Sequence, residues 1–319
     1  MSKPVDINLE ALGGHNEKAW DALVKVAPNG HLMARTGFFR YHADRFEDAS
    51  LFFFRGRRPL GVLPANRVGD TLWSHQGVSF GGLILHPRTH FSHVEAALSA
   101  LRDHLRAGGF KSFMYRPAPH PYQVFPREED VFFLEQAGAR RVDTKLHSMV
   151  LCGEPSALTA KTWNHTVRRS KESGVTVRAG LDADLPAVWG LVEQALERHG
   201  QNAVHTIDDI ALLRSRFPDE VPILLAESGS GELLSGQVLL RSGRTLTLLY
   251  VGDALAGREL NAGTMLQDHV MNAPENAGFW FDLGQWCDTG SRQGSDSLLQ
   301  YKEAAGGRLI QRHTWQLDL

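Results

Sequence analysis

Phe133-Leu134-Glu135-Gln136-Ala137-Gly138-Ala139-Arg140 and Tyr301-Lys302-Glu303-Ala304-Ala305-Gly306-Gly307-Arg308, aligned on Gly138 and Gly306, agree at Glu, Ala, Gly and Arg, and each opens on an aromatic residue. Both read as the end of a helix, a glycine able to take positive φ, and a closing strand. A chain that carries such a unit twice is expected to contain one fold twice. The sharpest change of chemistry between the two is Leu134 against Lys302. Leucine there suits a buried helix face. Lysine in an otherwise matching frame points to a site in the second copy, and a solvated helix lysine is the ordinary alternative.

Upstream of each segment lies a short apolar run that reads as a strand, Phe110 to Tyr115 and Phe279 to Leu283, and then an acidic helix start at Glu128-Glu129-Asp130 or Ser295-Asp296. The first copy opens with helices around Trp20, Leu23 and Val24 and around Phe38 to Tyr41. Leu51 to Phe54, Leu60 to Ala65 and Thr71 to Ser74 follow as an expected antiparallel meander, and then a helix over His90 to Gly108. The glycine-rich His75 to Gly82 lacks the lysine of a P-loop and reads as a bulged strand and turn. The three prolines of Arg116-Pro117-Ala118-Pro119-His120-Pro121-Tyr122 argue for an extended loop, in which Arg116, His120 and Tyr122 are candidate substrate contacts or merely solvated.

The second copy repeats that order. Trp163 to Lys171 holds the compact basic cluster of the chain, in which Arg168, Arg169 and Lys171 are candidate phosphate contacts or a solvated helix face. A helix over Asp184 to His199 precedes Thr206-Ile207-Asp208-Asp209, whose spacing resembles a capping box and sets His205 just before a helix N-terminus. A meander follows over Pro222 to Ala226, Leu233 to Leu240 and Thr245 to Val251. Then come a helix over Asn261 to Met271, a strand over Trp280 to Leu283, the helix carrying Lys302, and a strand over Leu309 to Leu317. Two domains are expected, 1–155 and 156–319, of mixed α/β class with a cleft between them.

The chain has 319 residues, 42% of them hydrophobic, enough for two cores, and a net charge of −2. Such a balance gives no global attraction to DNA or an anionic membrane, so a polyanion must be met by a local patch. Cys152 and Cys287 match no metal-ligand spacing and are too few for a disulfide framework, which fits a reducing cytoplasm. The first fourteen residues lack the apolar core of a signal peptide, and no run reaches membrane-spanning length.

The element order resembles the GNAT acyltransferase fold, and its doubling resembles the Fem-type peptidyltransferases. Phe281-Asp282-Leu283-Gly284 resembles the Asp-Phe-Gly strand end of those proteins, and Tyr301-Lys302-Glu303 with Gly306-Gly307 resembles their closing Phe-Lys and Phe-Gly-Gly pattern. The resemblance implies transfer of an aminoacyl group from aminoacyl-tRNA to the amine of a small molecule or peptide, with no tightly bound cofactor. It implies Lys302 as the group that stabilises charge at the carbonyl or leaving oxygen, and Asp282 or His205 as proton relay. Tyr250, Tyr301 and Trp286 are the substrate contacts expected beside them. Ordinary GNAT enzymes instead take the acyl group from CoA and cradle its pyrophosphate at a glycine-rich helix start. Arg258-Glu259-Leu260-Asn261-Ala262-Gly263 half keeps that pattern, with Asn261 in place of the first glycine, so Arg258, Asn261 and Gly263 are the candidate CoA contacts. A binding module that has lost both sites is the reading from outside enzymology.

Overall fold

A computed structural model describes residues 6–153, 158–288 and 295–319. The chain divides into two compact units, Met1–Lys145 with Gln311–Leu319, and Leu146–Ile310. The boundary expected between residues 155 and 156 lies outside the described residues.

The first unit begins with β1 (Asn8–Ala11), α1 (Glu17–Val26), α2 (Thr36–Phe39) and β2 (Glu47–Asp48). It continues through β3 (Leu51–Arg55), β4 (Arg58–Leu63), β5 (Asn66–Val68), β6 (Thr71–Trp73) and β7 (Ile84–Leu85) to α3 (Phe91–Ala107), β8 (Ser112–Tyr115), α4 (Glu129–Gln136) and the start of β9 (Arg140–Leu151). The second unit holds α5 (Lys161–Glu172), β10 (Thr176–Ala179), α6 (Leu185–Glu197) and α7 (Ile207–Arg216). Its remaining elements are β11 (Ile223–Glu227), β12 (Leu233–Ser242), β13 (Thr245–Asp253), α8 (Leu255–Glu259), α9 (Ala262–Asn272), β14 (Trp280–Asp288), α10 (Asp296–Ala304) and the start of β15 (Arg308–Asp318).

The expected single meander of the first copy is two pieces. Strands β1, β3, β4 and β7 form one sheet, whereas β5 and β6 belong to another with β2 and β8. Pro64 stands between β4 and β5 and has no N–H to give a ladder, so the chain leaves the first sheet there. The run His75 to Gly82 forms no continuous strand; it makes one bridge, Gly81 to Pro117. The expected extended loop is also corrected. His120–Tyr122 is a 3₁₀ turn with Pro121 in its first turn, where a missing N–H costs nothing, and Tyr122 is buried with its ring 4.5 Å from that of Phe80.

The repeat is a single register. The same spacing of 168 residues separates Ser112 from Trp280, Leu134 from Lys302 and Gly138 from Gly306. In the first copy β6 pairs in parallel with β8 over three residues, Thr71 to Ser112 through Trp73 to Met114, and in the second β13 pairs in parallel with β14 over three, Thr245 to Trp280 through Thr247 to Asp282. Each pair is followed by a helix that ends on a glycine at positive φ, 97° at Gly138 and 94° at Gly306. The next N–H closes the turn on the same carbonyl in both, Ala139 to Leu134 and Gly307 to Lys302, each at 2.9 Å.

The strand after that helix then changes units. Within the first unit β8 is paired antiparallel by Trp315 to Asp318 of β15, and within the second β14 has β9 as its neighbour. Residues Gln311–Leu319 therefore count with the first unit although they close the second repeat. Each unit has its own core, Phe53, Leu63, Leu101, Phe113 and Leu134 in the first, and Trp163, Leu239, Leu246, Leu266 and Phe281 in the second.

Candidate active site

Strands β13 and β14 pair over only three residues and then part, and a cavity of about 340 Å³ opens where they diverge. Leu248, Val251 and Asp253 of β13, Leu283 of β14, the start of α9 and Leu298, Tyr301 and Lys302 of α10 line it. A bulge decides which residues of β13 reach it. Leu239 lies opposite Leu248 and Val238 opposite Tyr250, which leaves Leu249 as the extra residue. The alternation of faces shifts at that point, so Leu248 and Val251 both line the cavity while Tyr250 turns to Trp189 of α6, 5.1 Å between rings.

Lys302 is 5% exposed. Its Nζ donates to the carbonyl oxygens of Gly284 and Gln285, both at 2.9 Å. Those carbonyls are aimed by a kink in β14 at Gly284, whose φ is +86°, and Asp282 fixes the kink by accepting the Gly284 N–H at 2.7 Å. Asp282 is itself enclosed, 1% exposed, with Nδ1 of His147 3.2 Å away. Burial pulls the Lys302 ammonium down from its ordinary range to about 8, and the nearby Asp282 carboxylate acts the other way. An ammonium has three N–H donors, and two are met by backbone.

Tyr301, beside it, lines the same cavity, with its hydroxyl 3.1 Å from Gln267 Oε1 and 3.2 Å from Thr264 Oγ1; burial pushes its phenol up to about 12. Asn261 takes the left-handed conformation, φ 57°, immediately before α9, and Arg258 and Gly263 also line the cavity. Asp253 was not legible as a site residue. It ends β13, its Oδ1 is buried with no hydrogen-bond partner, and a Cβ on Gly263 would lie 2.7 Å from that oxygen. Burial raises its carboxyl, against the charges of Arg198 and Arg258, while the nearby Ser235 hydroxyl donates to Gly252 O at 3.3 Å. The Val251-Gly252-Asp253 strand end carried a faint signal, because Gly252 admits no side chain: a Cβ there would come within 2.3 Å of the backbone of Leu191.

The other sequence candidates lie elsewhere. His205 and Tyr250 bind each other, Nδ1 to hydroxyl at 2.8 Å, and neither lines the cavity. Trp286 donates from its indole to Ser295 O at 3.3 Å. Arg168, Arg169 and Lys171 form an exposed face of α5, with Arg168 3.8 Å from Glu172. Arg116, His120 and Tyr122 belong to the first unit: Arg116 donates to His75 O at 2.7 Å and burial lowers its guanidinium to about 10, and His120 lies 2.8 Å from Glu128. Among the described residues no group of three His, Cys, Asp or Glu side chains is placed to hold a metal ion, and no helix is long and apolar enough to cross a membrane.

No family model matches the chain, and no curated protein matches it in sequence. Solved structures do. FemX superposes with a TM-score of 0.74 at 14% identity, over 98% of this chain and 97% of that one. L-PGS from Bacillus licheniformis gives 0.60 at 11%, over 96% and 92%, and a tandem GNAT protein from the clavulanic acid biosynthesis pathway gives 0.52 at 13%, over 98% of both. At these identities the likeness is one of architecture: the protein has a tandem GNAT fold. Its doubled architecture is similar to that of FemX and of the tandem GNAT protein.

Proposed function

We propose that the protein is an N-acyltransferase that moves an aminoacyl group from aminoacyl-tRNA to the amine of a small molecule or peptide. The observation that carries the reading is Lys302, a buried ammonium at a position where the first copy buries a leucine, bordering the cavity where β13 and β14 part. A charge is not desolvated without cost, and an enclosed cation is worth most where negative charge develops during a reaction. In the proposed step the acceptor amine attacks the ester carbonyl carbon; the C–N bond forms, the bond to the ribose oxygen breaks, and Lys302 stabilises the oxygen that becomes anionic. Asp253 takes the proton that the amine loses and returns it to the leaving oxygen, so protons balance.

Asp253 also supports an aminoacyl ester over a CoA thioester as donor. The left-handed Asn261 preserves the turn into α9, but a carboxylate already stands against Gly263 in its first turn, where a pyrophosphate would have to sit. The test is to incubate the protein with a mixed amine pool and either aminoacyl-tRNA or acetyl-CoA, and to read product masses. Aminoacyl mass increments are expected. Acetyl increments alone would replace this reading with CoA-dependent transfer.

A further inference from the structure

The first unit carries a second cavity, about 360 Å³, at the β3–β4 hairpin and the turn before α3. Its charged side chains are the three guanidinium groups of Arg55, Arg58 and Arg88, beside the imidazoles of His86 and His93, with no acidic residue among the described residues that line it. Arg55 and Arg58 face each other directly across the hairpin, a like-charge pair that costs stability in a sheet. Arg55 is held against an imidazole and not a carboxylate, Nη1 to His93 Nε2 at 2.7 Å. Neither Arg58 nor Arg88 makes an ion pair among the described residues, although the chain as a whole is slightly acidic.

The frame beneath these charges is braced. The N–H of His86 and the hydroxyl of Thr89 both donate to Leu60 O at 2.9 Å, and Arg127 donates to Thr89 O at 2.9 Å, so the turn bearing Arg88 is tied down from behind. The 17-residue helix α3 begins at this turn with no acid in its first turn, which adds the positive end of its dipole to the same recess. Folding alone gives no reason to converge three guanidinium groups and a helix N-terminus on one hollow.

We propose that this pocket binds the phosphate groups of a small phosphorylated molecule, of the diphosphate class. Guanidinium groups match phosphate oxygens in pairs, and the recess has the volume of a small-ligand site. Its cations converge on one hollow, whereas a polynucleotide backbone needs them spread along a track. The site lies on the unit that lacks Lys302, so the proposal stands whichever acyl donor is used.

The experiment is calorimetric titration of the full chain with inorganic pyrophosphate, comparing wild type, Arg58→Gln/Arg88→Gln, and Arg106→Gln/Lys25→Gln, which removes the same charge from exposed positions of the same unit. Saturable binding is expected, at least tenfold weaker in the first variant and unchanged in the second. ADP should displace pyrophosphate. Absence of saturable binding, equal weakening in both variants, or displacement by tRNA but not by ADP would each overturn the proposal.

Discussion

Lys302 stands where Leu134 stands in the other repeat, and the two are buried alike, 5% and 2% exposed, at the same carbonyl of the same helix-closing turn. One copy fills the position with hydrocarbon and joins it to a core, and the other fills it with an ammonium tied to two carbonyls. Nearby positions follow suit. The leucines Leu283 and Leu298 that line the second-copy cavity correspond to Tyr115 and Asp130, whose side chains hydrogen-bond to each other in the first. The first copy thus holds a hydrogen-bonded pair at the positions where the second has two cavity-lining leucines.

Exchanging these residues should be asymmetric. Leu134→Lys buries an amine among apolar side chains and is expected to cost about 3 kcal/mol or more. Lys302→Met leaves two carbonyls without their donor but also removes a desolvated charge, so its cost should stay within about 1–3 kcal/mol. Urea denaturation of both variants at pH 7 checks the order; equal losses would contradict it.

Stability should depend on pH through Lys302. Its folded value of about 8 lies below the ordinary 10.5, so between those values the unfolded chain binds the proton more tightly and stability rises with pH. The full rise is on the order of 3 kcal/mol. Denaturation at pH 7.5 and pH 10 should show the rise in wild type and its loss in Lys302→Met.

Asp130 should act in the opposite sense. Burial raises its carboxyl from 3.8 to about 6, so its contribution to stability is complete below pH 3.8 and is lost as pH rises through 6. Asp130→Asn should remove that slope while activity persists. A wild-type slope retained in the variant would show that another group titrates.

Asp253→Asn should lower kcat by about 10²–10⁴-fold if it carries the amine's proton, and should remove the acidic limb of the pH–rate profile. Gly263→Ala is the geometric companion. Its added carbon would crowd Oδ1, and activity should fall with little change in thermal stability.

The fold was legible because its signals are local and periodic. The glycine-ended helix at Gly138 and Gly306 marked the duplication, and the face Val94, Ala97, Leu98, Leu101 and Leu105 marked α3 as it stands. Lys302 was legible by comparison between copies and by the Phe-Lys resemblance of Tyr301-Lys302. Asp253 was not, because its place at the cavity comes from a β-bulge and from the approach of Gly263, both of which are tertiary. His205 and Tyr250 do not line this cavity for the related reason that one inserted residue turns Tyr250, with His205 on its hydroxyl, to the other face of the sheet. The exchange of final strands was also hidden, since nothing in the residues of β15 states which sheet it joins.

The most direct measurement is transfer of label to a mixed amine pool from aminoacyl-tRNA and from acetyl-CoA in parallel, with wild type and Lys302→Met. Wild type should transfer label from aminoacyl-tRNA, and the variant should do so with kcat lower by about ten- to a thousandfold and donor binding little changed. Transfer from acetyl-CoA alone, or unchanged turnover in Lys302→Met, would contradict the account.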